Sequence, residues 1–406
     1  MQDSARLEEL RKAADQGNPR AQFRLGIRYA KGWGVEKDET EAVRLYRKSA
    51  DQGYAAAQFT VGNRYEDGRG LPQDYGEAYR WYRLAARQGN SQAQNALGLL
   101  YSKGLGVPKD EAEALRWYRL AAEQGEMYAQ YNLGLRYKHG KGGLPKDEAE
   151  AIRLFRKSAE QGCAPAQCEL GWMYQNGIVV SKDEREAAEW YRKAAEQGDA
   201  YSQLNLGWMY DNGMGVKRDY AKAAKWYRKA AEQGDASALV NLGILYQTGK
   251  GVQKDYAEAL KCYRSAAEKG NDFAQHNLGV LYRDGIGVKR NDAEAVKWFR
   301  LAAEQNNISA LVDLGWMYHY ARGVKRDYVE AVKWYRKAAE QGDKVGQYNM
   351  AEMYADGLGV AKDLAEAIAW CRKSAAQGYP DAQKKLAKML EDSQTATSDA
   401  RGETGK

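Results

Sequence analysis

Apolar residues recur along the chain with the period of an α-helix. In one segment Ala114, Trp117, Tyr118, Ala121 and Ala122 fall at i, i+3, i+4, i+7 and i+8, which is the spacing of a single buried helical face. The same arrangement of alanines and large apolar residues returns about every 36 residues, ten times in all. The pattern therefore predicts an all-α chain built from one repeated helical unit.

A glycine inside each unit fixes the register of the repeat. It occurs in the run Leu-Gly-x-x-Tyr or a close variant, and Ala351 takes its place in the tenth copy. A glycine within a helix costs about 1 kcal/mol relative to alanine, so its recurrence predicts a neighbouring side chain or helix too close to admit a Cβ. The nine glycines are Gly26, Gly62, Gly98, Gly134, Gly171, Gly207, Gly243, Gly279 and Gly315.

A second helix in each unit is predicted by a capping box, in which an Asp or Asn side chain accepts backbone N–H bonds and a Glu three residues later reaches back to the cap. Nine of the ten copies contain both residues, and Asp219 with Lys222 is the exception. A Gly-x-Gly-Val loop precedes this helix and a Gln-Gly pair ends it. The complete boxes are Asp38/Glu41, Asp74/Glu77, Asp110/Glu113, Asp147/Glu150, Asp183/Glu186, Asp255/Glu258, Asn291/Glu294, Asp327/Glu330 and Asp363/Glu366.

Residues 202–234 nearly spell out the pattern AQxxLGxxYxxGxGVxKDxxEAxxWYRKAAEQG. This pattern resembles the Sel-like repeat (SLR) family, a relative of the tetratricopeptide repeat with a longer loop between its helices, and the resemblance covers residues 5–391. Several copies depart from the pattern, and these departures are expected to loosen local turns without changing the architecture. They are Val179 and Ala321 for loop glycines, Leu239 and Leu311 for the glutamine of the first helix, and Asn306-Asn307 for the Gln-Gly stop.

The resemblance implies a right-handed superhelical solenoid of antiparallel helix hairpins, with about 22 helices. The periodicity divides the chain into a capping helix at residues 1–17, ten repeats of 36–37 residues at 18–378 and a final capping helix at 379–391. Residues 392–406 are polar and aperiodic, which predicts a disordered tail.

The composition excludes some classes of protein. The 406-residue chain has a mean hydropathy of −0.77 and no long apolar run, which excludes a membrane span. Its first residues lack the basic and apolar regions of a signal peptide, so a cytoplasmic location is expected, or a periplasmic or secreted one if a signal has been removed. The four cysteines lack CxxC spacing and are predicted to be buried structural thiols. They are Cys163, Cys168, Cys262 and Cys371.

Candidate catalytic chemistry is sparse. His139, His276 and His319 lie in different repeats, and none has the spacing of a metal site such as HExxH. No Ser-x-x-Lys or Lys-Thr-Gly motif occurs, so the nucleophile of a penicillin-interacting enzyme is missing. We therefore expect no enzymatic activity, no metal and no cofactor.

A net charge of +7 raises the question of nucleic-acid binding. An Arg follows the aromatic pair of every complete repeat, and eight of these arginines have an acidic residue four positions later. Arg119/Glu123 and Arg192/Glu196 are examples, and such pairs are expected on solvated helix surfaces. Since phosphate contacts require clustered unpaired cations, the pattern argues against a nucleic-acid partner.

A row of asparagines precedes the Leu-Gly signature. In tetratricopeptide relatives the first helix lines a concave groove, and an Asn at this place can bond to the backbone of a bound peptide. The resemblance carries that role to this chain, while an equally weighted interpretation is that these side chains solvate the groove or bond to neighbouring helices. The residues are Asn132, Asn205, Asn241, Asn277 and Asn349, with Asp313 in the same register.

Other non-recurrent residues of the first helices complete the candidate site. Trp172, Trp208 and Trp316 follow the signature glycine, where aromatic residues are often core, but we favour a position facing the groove because Asn63 and Glu352 occupy the same place. Charge on the first helices changes sign along the chain, which predicts a groove that is basic early and acidic late. The basic residues are Arg24, Arg28, Arg64, Arg136 and Lys138, and the acidic residues are Asp211, Asp284, Asp313, Glu352 and Asp356.

These patterns and the resemblance to bacterial Sel-like repeat proteins predict a monomeric, non-catalytic scaffold or adaptor that binds a protein or peptide in the groove. Two alternatives stay open. One is a hydrolase or cell-wall-interacting enzyme, which the missing nucleophile disfavours. The other is a regulatory subunit of a protein quality-control complex, which would require a signal or anchor that the sequence does not show.

Overall fold

The computed structural model describes the backbone of residues 2–403 and the side chains of residues 5–391. This part of the chain contains 22 α-helices and no β-strand, which confirms the predicted all-α architecture of repeated helix hairpins. Helix α1 (Gln2–Asp15) precedes the ten repeats.

Each repeat consists of an even-numbered first helix and an odd-numbered second helix. The first helices are α2 (Pro19–Lys31), α4 (Ala55–Asp67), α6 (Ser91–Lys103), α8 (Met127–His139), α10 (Ala164–Asn176), α12 (Ala200–Asn212), α14 (Ala236–Thr248), α16 (Asp272–Asp284), α18 (Ile308–His319) and α20 (Lys344–Asp356), with α22 (Pro380–Glu403) after the tenth repeat. The second helices are α3 (Glu39–Asp51), α5 (Tyr75–Arg87), α7 (Glu111–Glu123), α9 (Glu148–Glu160), α11 (Glu184–Glu196), α13 (Tyr220–Glu232), α15 (Tyr256–Glu268), α17 (Asp292–Glu304), α19 (Tyr328–Glu340) and α21 (Leu364–Ala376).

The helices form two compact units that we describe separately. Unit 1 runs to Ser202 and includes Met214–Val216, while unit 2 consists of Gln203–Gly213 and the chain from Lys217 onward. Within each unit a first helix packs against the second helix of its own repeat, and that second helix packs against the next first helix. This nearest-neighbour packing is typical of repeat proteins.

The signature glycine lies against an aromatic ring of the second helix. A Cβ added at Gly98 would lie 2.6 Å from the ring of Tyr118, and one at Gly243 would lie 2.7 Å from the ring of Tyr263. Both rings are fully buried. The prediction that a neighbouring side chain excludes a Cβ is therefore confirmed, and the same contact occurs at all nine glycines.

The tenth repeat replaces both members of this contact. Ala351 stands at the glycine position, and Cys371 stands 20 residues later, where the other repeats have Tyr or Phe. Both residues are fully buried in one core cluster. The smaller thiol makes room for the methyl group, because an aromatic ring at this position would meet the Cβ of Ala351 as it would at the nine glycines.

The second helices begin with the predicted cap but without its reciprocal bond. The Asp38 carboxylate accepts the N–H of Glu41 at 2.9 Å, and an Asp or Asn side chain caps all ten second helices in this way. The backbone N–H of Asp38 donates instead to the carbonyl oxygen of Tyr29, at 3.0 Å. Since Glu41 bonds to Arg44, the prediction that the glutamate reaches back to the cap is wrong.

The arginine after each aromatic pair also bonds differently from the prediction. None of the predicted i, i+4 Arg/acid pairs forms an ion pair in the described part of the chain. In six repeats the guanidinium donates to the signature Tyr hydroxyl of the next repeat, as Arg156 does to Tyr174 at 2.7 Å. The other pairs are Arg47/Tyr65, Arg228/Tyr246, Arg264/Tyr282, Arg300/Tyr318 and Arg336/Tyr354. These arginines therefore link successive repeats.

A buried glutamine of the first helix joins three helices. The Gln58 amide donates to the carbonyl oxygen of Ala50 at the end of the preceding second helix, at 3.2 Å, and its oxygen accepts from Gln88 at 2.7 Å. The polar side chain is thus satisfied although it is only 4% exposed. Leu239 removes this bridge in the seventh repeat, where Lys269 also replaces the second glutamine.

Three residues adopt left-handed conformations that elsewhere in the repeats belong to glycine. Val179, Ala321 and Asn306 have φ values of 65°, 56° and 63°. The turns at these departures from the pattern therefore keep the glycine geometry, against the expectation that they would loosen. A Cβ in this conformation costs roughly 1–2 kcal/mol, which the packing of the flanking helices must offset.

The end of the last helix differs from its predicted position. Helix α22 continues to Glu403, whereas the polar composition predicts a disordered tail from residue 392. No Pro or Gly interrupts the chain between Pro380 and Gly402, so the helical backbone has no local signal to stop earlier. The division of the chain into domains therefore stays a prediction, and residues 404–406 lie outside the described part of the chain.

Candidate functional site

One stripe of each first helix combines exposure with sequence variation. In α14 it consists of Ser237, Asn241, Ile244 and Thr248, at i, i+4, i+7 and i+11, a spacing that places them on one side of a helix. Equivalent residues of all ten first helices are exposed or half-buried, whereas Gly243 and the other recurrent residues are buried. We call this stripe the first-helix face. It contains the predicted Asn row and the three tryptophans.

In unit 1, Asn132 and Glu169 of the first-helix face bond to side chains that lie beside the face. The Asn132 amide donates to the oxygen of Asn95 in the preceding repeat at 2.9 Å. On the next pair of repeats, the Lys138 ammonium bonds to the Glu169 carboxylate at 2.6 Å and lies 4.3 Å from the ring of Trp172. These contacts use the side chains to join neighbouring first helices.

Two of the predicted groove arginines lie beside the first-helix face and are held in ion pairs. Arg136 lies 3.2 Å from Glu111, and Arg64 lies 2.6 Å from Glu39, in each case at the start of the preceding second helix. Their side chains are only 11% and 14% exposed. The packing therefore gives both arginines a structural role between repeats.

The other two predicted arginines lie in the first repeat. Arg28 donates to the carbonyl oxygen of Trp33 at 3.2 Å in its own loop. Arg24 is exposed on the first-helix face. Of the four predicted arginines, Arg24 alone lies on this face.

In the part of repeats 6–8 that belongs to unit 2, the first-helix face is more open. Trp208 is 37% exposed and Ile244 is 41% exposed, and they occupy equivalent positions in adjacent repeats. The half-buried amides of Asn241 and Asn277 have no hydrogen-bond partner in the described part of the chain. Together with half-buried Asn205, this region presents a row of amides beside a row of apolar side chains.

In the ninth repeat, charged side chains cover the first-helix face and end this open region. Asp313 accepts from Arg283 at 2.9 Å and bonds to His276 Nε2 at 2.8 Å. Arg322 lies over the ring of Trp316, 5.7 Å from its centroid, and half covers it. A pocket of about 480 Å³ is lined by Arg283, Asp284, Arg290, Asp313, Trp316 and Arg322.

The predicted acidic end of the face is largely neutralised. Glu352 accepts from the Tyr348 hydroxyl at 2.9 Å and from Lys385 at 2.7 Å. Asp211 accepts from the Tyr227 hydroxyl at 3.3 Å. Asp284 and Asp313 both bond to Arg283. Among the five predicted acidic residues, only Asp356 is exposed and makes no ion pair with the described residues. Asn349, in the same helix α20, is half-buried.

The cysteines and histidines show no sign of a reactive or metal-binding centre. Burial raises the pKa of the Cys168 thiol to about 12 and that of the Cys262 thiol to about 11, so both stay protonated at neutral pH. Burial lowers the pKa of His139 and of His319. The described residues contain no group of three His, Cys, Asp or Glu side chains arranged to hold a metal ion.

None of the helices in the described residues combines the length and the apolar character needed to cross a membrane.

The repeated hairpin, its glycine contact and its loop define a class of protein. The chain belongs to the Sel1 repeat family, whose model matches ten consecutive segments. Proteins with Sel1 or tetratricopeptide-like repeats generally mediate protein–protein interaction, and the fold is generally a non-catalytic scaffold. The matched residues are 19–54, 55–90, 91–126, 128–163, 164–199, 200–235, 236–271, 272–307, 308–343 and 344–379.

Solved structures of the same family resemble the chain over most of its length. The protein c5321, a protective antigen of uropathogenic Escherichia coli with an SLR fold, is 40% identical in sequence to this chain. Its crystal structure matches with a TM-score of 0.84, and the match covers 94% of this chain and 82% of the c5321 chain. A Sel1 repeat protein from Oxalobacter formigenes is 34% identical in sequence, and its crystal structure has a TM-score of 0.54. This match covers 76% of this chain and 90% of the Oxalobacter chain. A comparison with curated proteins gave no match.

Proposed function

We propose that this chain is a non-catalytic scaffold that binds a protein partner through the first-helix face of repeats 6–8. The observation that carries the proposal is the pairing of exposed Trp208 and Ile244 with the unbonded amides of Asn241 and Asn277. Exposed aromatic side chains are common anchors of protein interfaces. Half-buried amides without a partner gain hydrogen bonds when a ligand covers them.

An extended polypeptide segment fits this arrangement. Packed helices lie about 8–10 Å apart, and an extended chain advances about 3.3 Å per residue. About every third residue of a bound segment would therefore meet the same position of the next repeat. The Asn amide can both donate and accept, which suits a peptide backbone, while the apolar row takes side chains of the partner.

The predicted site residues differ in how well they suit this role. Asn132 supports the alternative interpretation, since it bonds to Asn95 in the neighbouring helix. Trp172 and Trp316 are each half covered by a cation of an adjacent repeat or loop. Asn349 and Arg24 remain candidates outside the open region. A monomeric state and a cytoplasmic location remain predictions, and no site in the described residues favours the hydrolase or quality-control alternatives.

The test is the triple substitution Asn205→Ala, Asn241→Ala and Asn277→Ala. A partner is first captured from a cell lysate with the intact chain, purified, and titrated against each variant. The hydrogen bonds lost at Asn241 and Asn277, of about 0.5–1.5 kcal/mol each, should weaken binding at least about fivefold, and circular dichroism separates this loss from unfolding.

The matched control is Asn95→Ala with Asn132→Ala in unit 1. This pair should leave the affinity for the partner unchanged and lower the melting temperature slightly, because it removes a bond between two helices. An unchanged affinity in the triple variant would contradict the proposal.

A further inference from the structure

The loops that join first and second helices differ in charge between the two units. In repeats 3, 4 and 5 each loop ends in a lysine that pairs with a glutamate two residues later. The distances are 3.7 Å for Lys109–Glu111, 2.8 Å for Lys146–Glu148 and 2.9 Å for Lys182–Glu184. The charge of each of these lysines is thus compensated within its own repeat.

Except in the eighth repeat, the loops of unit 2 lack this compensation. Tyr220, Tyr256 and Tyr328 stand where those glutamates would be, and an additional lysine precedes the recurrent basic residue in three repeats. These additional lysines are Lys217, Lys289 and Lys325. They are exposed, and none forms an ion pair in the described part of the chain.

The recurrent basic residues of these loops lie close to the tyrosines. The Lys254 ammonium lies 4.8 Å from the ring centroid of Tyr256, and the Arg326 guanidinium lies 5.9 Å from that of Tyr328. These cations thus keep their charge while they are positioned by an aromatic ring. At the eighth repeat Asp292 replaces the tyrosine and pairs with Arg290 and Arg322.

Successive loops of unit 2 touch, so their cations form one edge. A Cβ at Gly287 would lie 2.6 Å from the Cβ of Tyr256 in the preceding repeat. Gly251 lies against the backbone of Tyr220 in the same way, and Gly323 lies against that of Asp292. We call the surface formed by residues 217–220, 249–256, 285–292 and 320–328 the unit-2 loop edge.

We propose that the unit-2 loop edge binds an acidic polypeptide segment. The edge carries nine Lys and Arg side chains against four Asp, and all of its residues except Tyr320 lie outside the stripe that defines the first-helix face. The proposal therefore adds a second surface to the proposed function. It predicts a partner segment whose carboxylates are spaced to meet successive loops.

The spacing of charge favours a polypeptide over a nucleic acid. Asp219, Asp255 and Asp327 cap second helices along the edge, and each directly follows the basic residue of its own loop. A DNA strand carries a charge about every 3.4 Å and would meet these carboxylates. A polypeptide can leave neutral residues opposite them and place its own acids opposite the lysines.

The experiment measures fluorescence anisotropy of a labelled synthetic peptide with Glu at every third residue and Gly between, at low ionic strength. The variant is Lys217→Glu, Lys289→Glu and Lys325→Glu in the full chain. Its affinity for the peptide should fall by about tenfold or more, the summed effect of several weak exposed ion pairs. The intact chain should also bind the peptide less tightly as salt is added.

The matched control is Lys109→Glu, Lys146→Glu and Lys182→Glu, which changes the net charge by the same amount. This control and the Asn205, Asn241 and Asn277 triple variant should retain the affinity of the intact chain within about twofold, the effect expected for remote surface changes. Circular dichroism tests whether each variant is folded. A triple Lys→Glu variant that does not fold is replaced by the corresponding Lys→Gln variant.

Three outcomes would overturn the proposal. They are no binding by the intact chain, an equal loss in the unit-1 control, and tighter binding of duplex DNA than of the peptide at the same salt concentration. Because the Asn variant tests the first-helix face separately, failure here would leave the proposed function to its own test.

Discussion

On the first-helix face of unit 1 the Glu169 carboxylate bonds to the Lys138 ammonium at 2.6 Å, whereas in unit 2 the amides of Asn241 and Asn277 bond to nothing in the described chain. The loops repeat the contrast, since Lys146 is paired with Glu148 and Lys289 is not. The two units nevertheless share one hairpin, with the same glycine contact and caps.

This difference separates the residues that make the fold from those available for binding. The glycine contact and the buried glutamine recur in both units because they satisfy the packing and hydrogen bonding of every hairpin. In unit 1, polar side chains such as Lys138 and Lys146 are held in ion pairs. In unit 2, Asn241 and Asn277 on the first-helix face and Lys217, Lys289 and Lys325 on the loop edge have no such partner in the described residues, and we place both proposed binding surfaces there.

The largest expected effect, common to both units, is a loss of stability at alkaline pH. Burial raises the pKa of Tyr118 in unit 1 to about 12 and raises that of Tyr263 in unit 2 as well. Because the folded state holds these protons above the unfolded pKa of about 10, their stabilisation is complete below pH ~10 and is lost as the pH rises further. Denaturant unfolding between pH 8 and 11 should show a decline of several kcal/mol, about 1.4 kcal/mol per pH unit for each such tyrosine. A stability that is constant over this range would contradict the burial of these tyrosine hydroxyls.

The tenth repeat offers a sharper test of the shared framework. Cys371→Tyr should cost about 1–3 kcal/mol, the usual effect of overpacking a core, because the new ring meets the Cβ of Ala351. Adding Ala351→Gly should restore most of that loss by recreating the contact of the other nine repeats. Chemical denaturation of the two single variants and the double variant measures the coupling between the positions. Additive effects would show that the two substitutions are independent.

The smallest expected effect is a difference between the two units in how much one polar residue contributes to the free energy of unfolding. Arg136→Met in unit 1 should lower the free energy of unfolding by about 1 kcal/mol, because it breaks bonds to Glu111 and Ser102. Asn241→Ala in unit 2 should change it by less than about 0.5 kcal/mol. Paired melting curves compare the variants, and equal losses would remove the distinction between the units.

The sequence predicts the repeated framework well because its rules are local. Helix periodicity, caps and the cost of a mid-helix glycine identified the hairpin and the close contact at Gly98 and Gly243. The family resemblance supplied the solenoid. Residues at equivalent places could be recognised because they recur in one chain.

Predictions that depended on contacts between repeats were less successful. Local helix rules pair Arg119 with Glu123, but in repeats with a recorded bond the equivalent arginine meets a tyrosine 18 residues away. The open and closed parts of the first-helix face also follow from such contacts, as with Lys138 and Glu169. A comparison of charge at neighbouring register positions in successive repeats is the signal that could have found them.

Hydroxyl-radical footprinting of the chain with its purified partner tests directly whether the partner binds the open first-helix face of unit 2. Trp208 in unit 2 is 37% exposed and Tyr128 in unit 1 is 46% exposed, and both lie on the first-helix face. We predict that the partner protects Trp208 from oxidation and leaves Tyr128 as reactive as in the free chain. Protection of Tyr128 with no change at Trp208 would contradict it.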